Sequence, residues 1–213
     1  MVMRVFPLLG KGFSSNIYLV KGKRNVLIDA GLGSGIDEVL EKLEGFLEGE
    51  TLDGIILTHR HMDHIGGAEP IARHFNPRVY ASKAEARAIN SRDGRTTCAY
   101  AFGMMVPEIT VNDVEDFHWE EMEVISTPGH TAGSISLYFP AEKWLFSGDT
   151  VFLYGSTGRW DLPTGNLEQL MESLTKLGSL DVAGLFPGHE GYAETDGHEH
   201  ISSALEFLRG AFS

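Results

Sequence analysis

Four short strand-like runs in this chain stop just short of a histidine or an aspartate, and that repetition limits what the chain can fold into. Residues 52–57 lead into Thr58-His59, residues 122–127 into Pro128-Gly129-His130, residues 144–147 into Gly148-Asp149, and residues 182–186 into Pro187-Gly188-His189. Each run is too short for a helix, carries aliphatic, aromatic or β-branched residues, and is bounded by Gly, Pro or polar residues, as buried strands are. In an α/β sheet, strand ends of this kind gather on one rim. A fold that uses these runs as strands therefore collects imidazoles and carboxylates along one edge.

The remainder of the chain supplies the other parts of such a fold. Residues 3–9, 16–20 and 24–29 read as strands, with a turn at 10–12, and the third ends in Asp29 before a glycine loop. An aspartate there has two readings: it orients a neighbouring ligand, or it caps its own turn. Ser34, with Asp37 three residues on, starts a helix in which Ile36, Val39, Leu40, Leu43, Phe46 and Leu47 fall at helical spacing. Further helices are expected over 66–75 and 82–89, a strand at 79–81, and a hairpin from 135–139 and 144–147. Asn166, with Gln169, caps a helix, and a closing helix starts near Thr195 or Asp196 and turns Ile201, Ala204, Leu205 and Leu208 inward. Strand and helix alternate, the α/β pattern. No linker of biased composition interrupts it, so residues 1–213 read as a single domain. Residues 90–116 show no clean period and suit a lid or substrate-facing loop, a core-packed segment, or an oligomer contact.

Composition narrows the classes of function. The single cysteine, Cys98, excludes an internal disulfide and reads as a structural thiol, which suits a reducing compartment. The first residues lack the apolar segment of a secretion signal, and no run approaches the ~20 apolar residues of a membrane span. A soluble, cytoplasmic protein without a membrane partner is expected. A net charge of -13 repels phosphate backbones and argues against a nucleic-acid partner. The loop 154–165 is glycine-rich but lacks the Lys-Ser/Thr ending of a phosphate-binding loop.

Seven groups remain to be explained together: His59, His61, Asp63, His64, His130, Asp149 and His189. Neutral imidazoles and ionised carboxylates are nitrogen and oxygen ligands for Zn, Fe or Mn. Two ions with one bridging group need roughly six to eight donors, so the inventory fits two divalent ions better than one. His74, His118, His198 and His200 lie outside this pattern and read as ordinary polar residues.

The runs His-x-His-x-Asp-His at 59–64, Pro-Gly-His-Thr-x-Gly-Ser at 128–134, Ser-Gly-Asp-Thr at 147–150 and Pro-Gly-His at 187–189 resemble, in order, the motifs of the metallo-β-lactamase superfamily. The resemblance implies an αββα sandwich, two mixed β-sheets flanked by helices. It implies that His59, His61 and His130 hold one metal, that Asp63, His64 and His189 hold a second, that Asp149 bridges them, and that Asp29 is an orienting residue behind the ligands. Asp63 and Asp149 would be the catalytic carboxylates beside a metal-bridging hydroxide. Within the superfamily the chain is similar to glyoxalase II-like hydrolases of thioesters such as S-lactoylglutathione. Its 155–165 loop resembles their Gly-x-x-Gly-Arg/Lys loop, which makes Arg159 a candidate for a substrate carboxylate. The helical domain that grips glutathione in the larger members has no counterpart in residues 190–213. Persulfide dioxygenases share the motifs and bind one Fe(II) through residues matching His59, His130 and Asp149, which leaves that alternative open. A lactonase or other ester hydrolase is a further alternative, and a homo-oligomer remains open.

Overall fold

The computed structural model describes residues 2–211, and the chain divides into two compact units, Met1–His118 and Trp119–Ser213. The first is built on a six-stranded sheet with its strands in sequence order: β1 (Arg4–Leu8), β2 (Ile17–Lys21), β3 (Asn25–Ile28), β4 (Gly54–Ile56), β5 (Arg78–Ala81) and β6 (Val111–Asp113). The first three pair antiparallel, β1 to β2 across the loop 9–16 and β2 to β3 across the short turn 22–24, and β3 to β6 pair parallel. Parallel neighbours need crossovers. These are α1 (Ile36–Leu47) before β4, α2 (Met62–Ile65) and α3 (Ala68–Phe75) before β5, and α4 (Lys83–Asn90) before β6. Leu43 and Leu47 of α1, Ile71 of α3 and Ile89 of α4 join Leu19, Leu27, Ile55 and Leu57 in one core. Each fully buried leucine there contributes about 1.5–3 kcal/mol by leaving water.

The second unit holds a four-stranded mixed sheet in the order β10-β9-β8-β7, from β7 (Glu123–Ser126), β8 (Ile135–Phe139), β9 (Trp144–Gly148) and β10 (Gly184–Pro187). The pairs β7–β8 and β8–β9 are antiparallel, and β9–β10 is parallel. The helices α5 (Leu167–Leu177) and α6 (Gly197–Ala211) bury Leu170, Leu174, Leu177, Ile201, Ala204 and Leu208 against Leu145 and Leu185. Asn166 caps α5 as expected, its Oδ1 accepting from Gln169 N at 2.9 Å. The apolar face expected for the last helix is the one it buries, with Leu205 only partly covered.

Two local expectations change. Helix α1 is not capped by Ser34: it starts from Gly35, which sits in the left-handed region at φ 68° with no side-chain cap. Its carbonyl accepts the first amides, from Glu38 and Val39. Glycine enters that region without the steric cost of a Cβ, so it sets the boundary in place of the hydroxyl. Residues 90–116 contain β6, which periodicity does not reveal because Val111-Asn112-Asp113 offers a single apolar side chain. The strand is held by β5 on one side, and the Asn90 side chain completes it: Nδ2 donates to Val111 O at 2.8 Å and Oδ1 accepts from Val111 N at 2.9 Å. Among the described residues no helix is long and apolar enough to cross a membrane.

Candidate metal centre

In the first unit, parallel pairing explains why Asp29 and the histidine run lie side by side. Ile28 of β3 is in register with Ile56 of β4, so both strands release their next residues at the same end. Asp29 N donates to Ile56 O at 2.9 Å, and Asp29 Oδ1 accepts from Thr58 N at 2.7 Å. Beyond Thr58 the chain makes the short turn α2, closed by His64 N and Ile65 N donating to His61 O. This turn packs His64 against His59, with ring centroids 4.0 Å apart, while His59 and His61 meet edge to face at 4.8 Å. Ligating atoms of His59 and His61, of His59 and His64, and of Asp63 and His64 come within 4.8 Å of each other. The three imidazoles are buried.

Gly66 and Gly67 make this geometry accessible. A Cβ on Gly66 would stand 2.2 Å from Leu32 O, and one on Gly67 would stand 2.2 Å from Ala30 O. Without side chains, the loop after β3 closes on the turn, with Ala30 N donating to His64 O at 2.8 Å and Gly67 N to Gly31 O at 3.1 Å. Asp29 thereby reaches His64, with Oδ2 2.8 Å from Nδ1.

The hydrogen-bond partners settle which ring nitrogen faces outward for a ligand. A carboxylate only accepts, so His64 Nδ1 carries the hydrogen given to Asp29, and the lone pair lies on Nε2. Thr58 Oγ1 has one hydrogen and donates it to Asp29 Oδ2 at 2.8 Å; it accepts from His59 Nδ1 at 3.1 Å, which places the His59 lone pair on Nε2 as well. Asp29 and Thr58 thus orient two imidazoles together. Of the two readings of Asp29, the geometry favours the orienting one. Thr58 carried no expectation, although a hydroxyl directly before the first histidine was a visible signal.

In the second unit the same logic holds. Strand β7 runs opposite to β8, which runs opposite to β9, while β10 runs with β9. The carboxyl ends of β7, β9 and β10 therefore share one edge of the sheet, and these deliver His130, Asp149 and His189. Gly188 N donates to Gly148 O at 2.8 Å, locking the last two turns together. Asp149 Oδ2 lies 3.5 Å from His130 Nε2 and 3.6 Å from His189 Nε2. Behind them runs a buried hydroxyl chain: Thr150 Oγ1 donates to Thr127 Oγ1 at 3.1 Å, and Thr127 is paired with Ser136 at 3.1 Å. It ties the turn carrying Asp149 to the strand end preceding His130.

The 155–165 loop also touches the candidate ligands through its backbone. His130 Nδ1 donates to the main-chain carbonyl of Arg159 at 2.6 Å, again leaving Nε2 with the lone pair. Gly158 N donates to Asp149 O at 3.0 Å. A Cβ at Gly158 would meet Asp149 O at 2.1 Å and His130 Nδ1 at 2.8 Å, so only glycine fits. The exposed Arg159 guanidinium forks onto Asp161, with Nε to Oδ1 at 2.9 Å and Nη2 to Oδ2 at 2.6 Å. That bond holds the Asp161 carboxyl below its ordinary range. The loop's contact with the candidate ligand His130 comes from its backbone, which sequence reasoning missed.

Three of the other histidines take ordinary polar partners. His74 pairs with Glu44 at 2.7 Å, His198 with Ser202 at 3.3 Å, and His200 Nδ1 accepts from Tyr154 N at 3.2 Å. Cys98 is half-buried in a turn with left-handed φ 56°.

Comparison with known proteins places these features. The chain is 36% identical over 195 residues to a probable metallo-hydrolase, MJ0888, of Methanocaldococcus jannaschii, covering 87% of this chain and 92% of that one. It is 39% identical over 165 residues to the hydroxyacylglutathione hydrolase of Brucella ovis, covering 76% of this chain but only 56% of the relative. The chain therefore spans little more than half the length of that enzyme. Among solved structures, that of TTHA1623 in a di-iron-bound form matches with a TM-score of 0.75 at 32% identity, over 92% of this chain and 96% of that one. The sequence pattern of the Metallo-beta-lactamase superfamily matches residues 10–189, which include all seven candidate ligands. With two mixed sheets flanked by helices and this match over most of its length, the chain belongs to the metallo-beta-lactamase superfamily.

Proposed function

We propose that the chain is a metal-dependent hydrolase of a small-molecule thioester, of the S-lactoylglutathione kind, and that residues 1–213 work as a single domain. His59, His61 and His130 would hold one divalent ion, Asp63, His64 and His189 a second, and Asp149 would bridge. The donor set fits Zn, Fe or Mn, being imidazole nitrogens whose tautomers are set by Asp29, Thr58 and the Arg159 carbonyl, together with two carboxylates. Two such ions would lower the pKa of a bound water and polarise the acyl oxygen of the substrate.

The observation that carries the two-ion reading is the position of Asp149. One of its oxygens lies 3.5 Å and 3.6 Å from two imidazole nitrogens assigned to different ions, which is where a shared ligand is needed. The thioester substrate is carried by likeness to the hydroxyacylglutathione hydrolase, of which the match covers 56%. In this reading Arg159 leaves Asp161 to pair with a substrate carboxylate. The protein works in the cytoplasm without a nucleic-acid partner.

Metal analysis of purified protein, paired with assays of S-lactoylglutathione hydrolysis and of oxygen uptake with glutathione persulfide, tests the proposal. Two metals per chain with thioester turnover is the expected result. One iron per chain with oxygen consumption overturns it in favour of the dioxygenase. Asp149→Ala is expected to fold normally and lose turnover, and retained turnover would sink the assignment.

A further inference from the structure

Arg60 stands between two candidate ligands, His59 and His61, and the chemistry above makes no use of it. Its guanidinium engages α4: Nε donates to Glu85 Oε2 at 2.5 Å, Nη2 to Glu85 Oε1 at 3.0 Å, and Nη2 also to Ala84 O at 3.2 Å. Nη1 donates to Thr96 Oγ1 at 3.2 Å, and that hydroxyl donates onward to Asp93 Oδ2 at 2.7 Å. Glu85 is fully buried and Arg60 is 6% exposed. The backbone continues the same attachment, since Met62 N donates to Thr97 O at 2.8 Å and Thr97 Oγ1 donates to Asp93 O at 2.7 Å. His61 is thus bracketed by one tie through a side chain and one through an amide, both leading to the 93–97 turn and the start of α4.

Stability is a weak reason for such a pair. Burying a guanidinium and a carboxylate costs desolvation that their attraction recovers only with excellent geometry, and an apolar pair of similar volume commonly packs as well or better. What the apolar pair lacks is direction. A bidentate fork fixes both the distance and the plane of the arginine, and with them the backbone between the two histidines.

We propose that the Arg60–Glu85 pair is a positioning device for the metal ligands, holding the 59–61 backbone in its metal-receiving geometry before the ion arrives. The inference rests on the metal reading above. It assigns the residue between the two histidines of the His-x-His run a role in affinity, and it makes the 93–97 turn and α4 part of the support of the centre.

The test uses the metal-free full-length chain and Zn(II) alone, titrated against a chromophoric chelator, alongside urea unfolding of the same samples. The double variant Arg60→Met/Glu85→Leu removes both ions and keeps the volume. It is expected to unfold at the wild-type urea concentration or above, yet to bind Zn(II) on the order of 10- to 100-fold more weakly, the usual cost of losing an outer support of a metal site. A folded double variant with wild-type Zn(II) affinity overturns the proposal. Should that variant fail to fold, Glu85→Gln, which keeps the shape but not the charge, takes its place: weakened Zn(II) binding supports the proposal and unchanged binding overturns it. Wild-type protein that binds no Zn(II) overturns both this inference and the metal reading, which separates the two failures.

Discussion

Replacing Asp29 by asparagine isolates the role of one carboxylate oxygen. Asp29 sits at φ 58°, in the left-handed region that asparagine tolerates well, so the backbone is not additionally strained. An asparagine oxygen placed at Oδ1 keeps the 2.7 Å bond from Thr58 N. The amide nitrogen then replaces Oδ2 and confronts His64 Nδ1 at 2.8 Å, a donor facing a donor. Thr58 Oγ1, which gave its hydrogen to Oδ2, must reorient, and its bond with His59 Nδ1 is disturbed too. A hydrogen bond to a charged group contributes about 1.5–3 kcal/mol. At 1.4 kcal/mol for each factor of ten, His64 and His59 presented in the wrong tautomer should weaken Zn(II) binding roughly 10- to 100-fold. Chelator competition on the metal-free variant measures this, and urea unfolding gives the accompanying loss of stability. If Asp29→Asn lowers the urea midpoint while Zn(II) affinity stays within a factor of about two, far below the range for orienting partners, Asp29 merely props its loop and the tautomer argument fails.

Gly158→Ala should damage the candidate ligand set of the second unit, because its Cβ would lie 2.1 Å from Asp149 O and 2.8 Å from His130 Nδ1. A shift to relieve it costs about 1–3 kcal/mol, and full metal content with an unchanged melting temperature would contradict the crowding. Arg159→Ala should retain wild-type metal content, since His130 is held by the residue-159 carbonyl, while raising KM for a carboxylate-bearing thioester; lost metal would show that the side chain, not the backbone, holds the ring. Asp93 predicts a pH effect. Hydrogen bonds from the Thr96 hydroxyl and amide hold its carboxyl below the ordinary 3.8. A depressed folded pKa stabilises the protein above that ordinary value, and the benefit disappears as pH falls through the folded one. Asp93→Asn should therefore flatten the acid limb of the metal-free chain's urea stability below about pH 4, and an unaltered limb would refute it.

Much of the candidate site was legible because its signals are local. A strand is marked by its own apolar residues, and a ligand by its own imidazole, so His59 to His64, His130, Asp149 and His189 could be located without knowing which strands are neighbours. The short strand β6 was not legible, because its backbone groups are satisfied by β5 and by the side chain of Asn90, and neither leaves a pattern in Val111-Asn112-Asp113. Arg159 illustrates a different limit. Its side-chain type invited a substrate role, whereas the bond to His130 comes from its carbonyl, and a main-chain carbonyl is common to every residue.

From the sequence alone follow the α/β class, the donor types and the placement of each donor just beyond a strand, since hydrophobic patterning and side-chain chemistry are properties of neighbouring residues. Tertiary structure decided how those donors are aimed. The parallel register of β3 with β4 brought Asp29 to Thr58 and His64, which lie 29 and 35 residues away. The Gly158–Arg159 backbone reached His130 from 29 residues downstream of it. Orientation depends on hydrogen bonds between distant segments, and those partners exist only once the strands have paired.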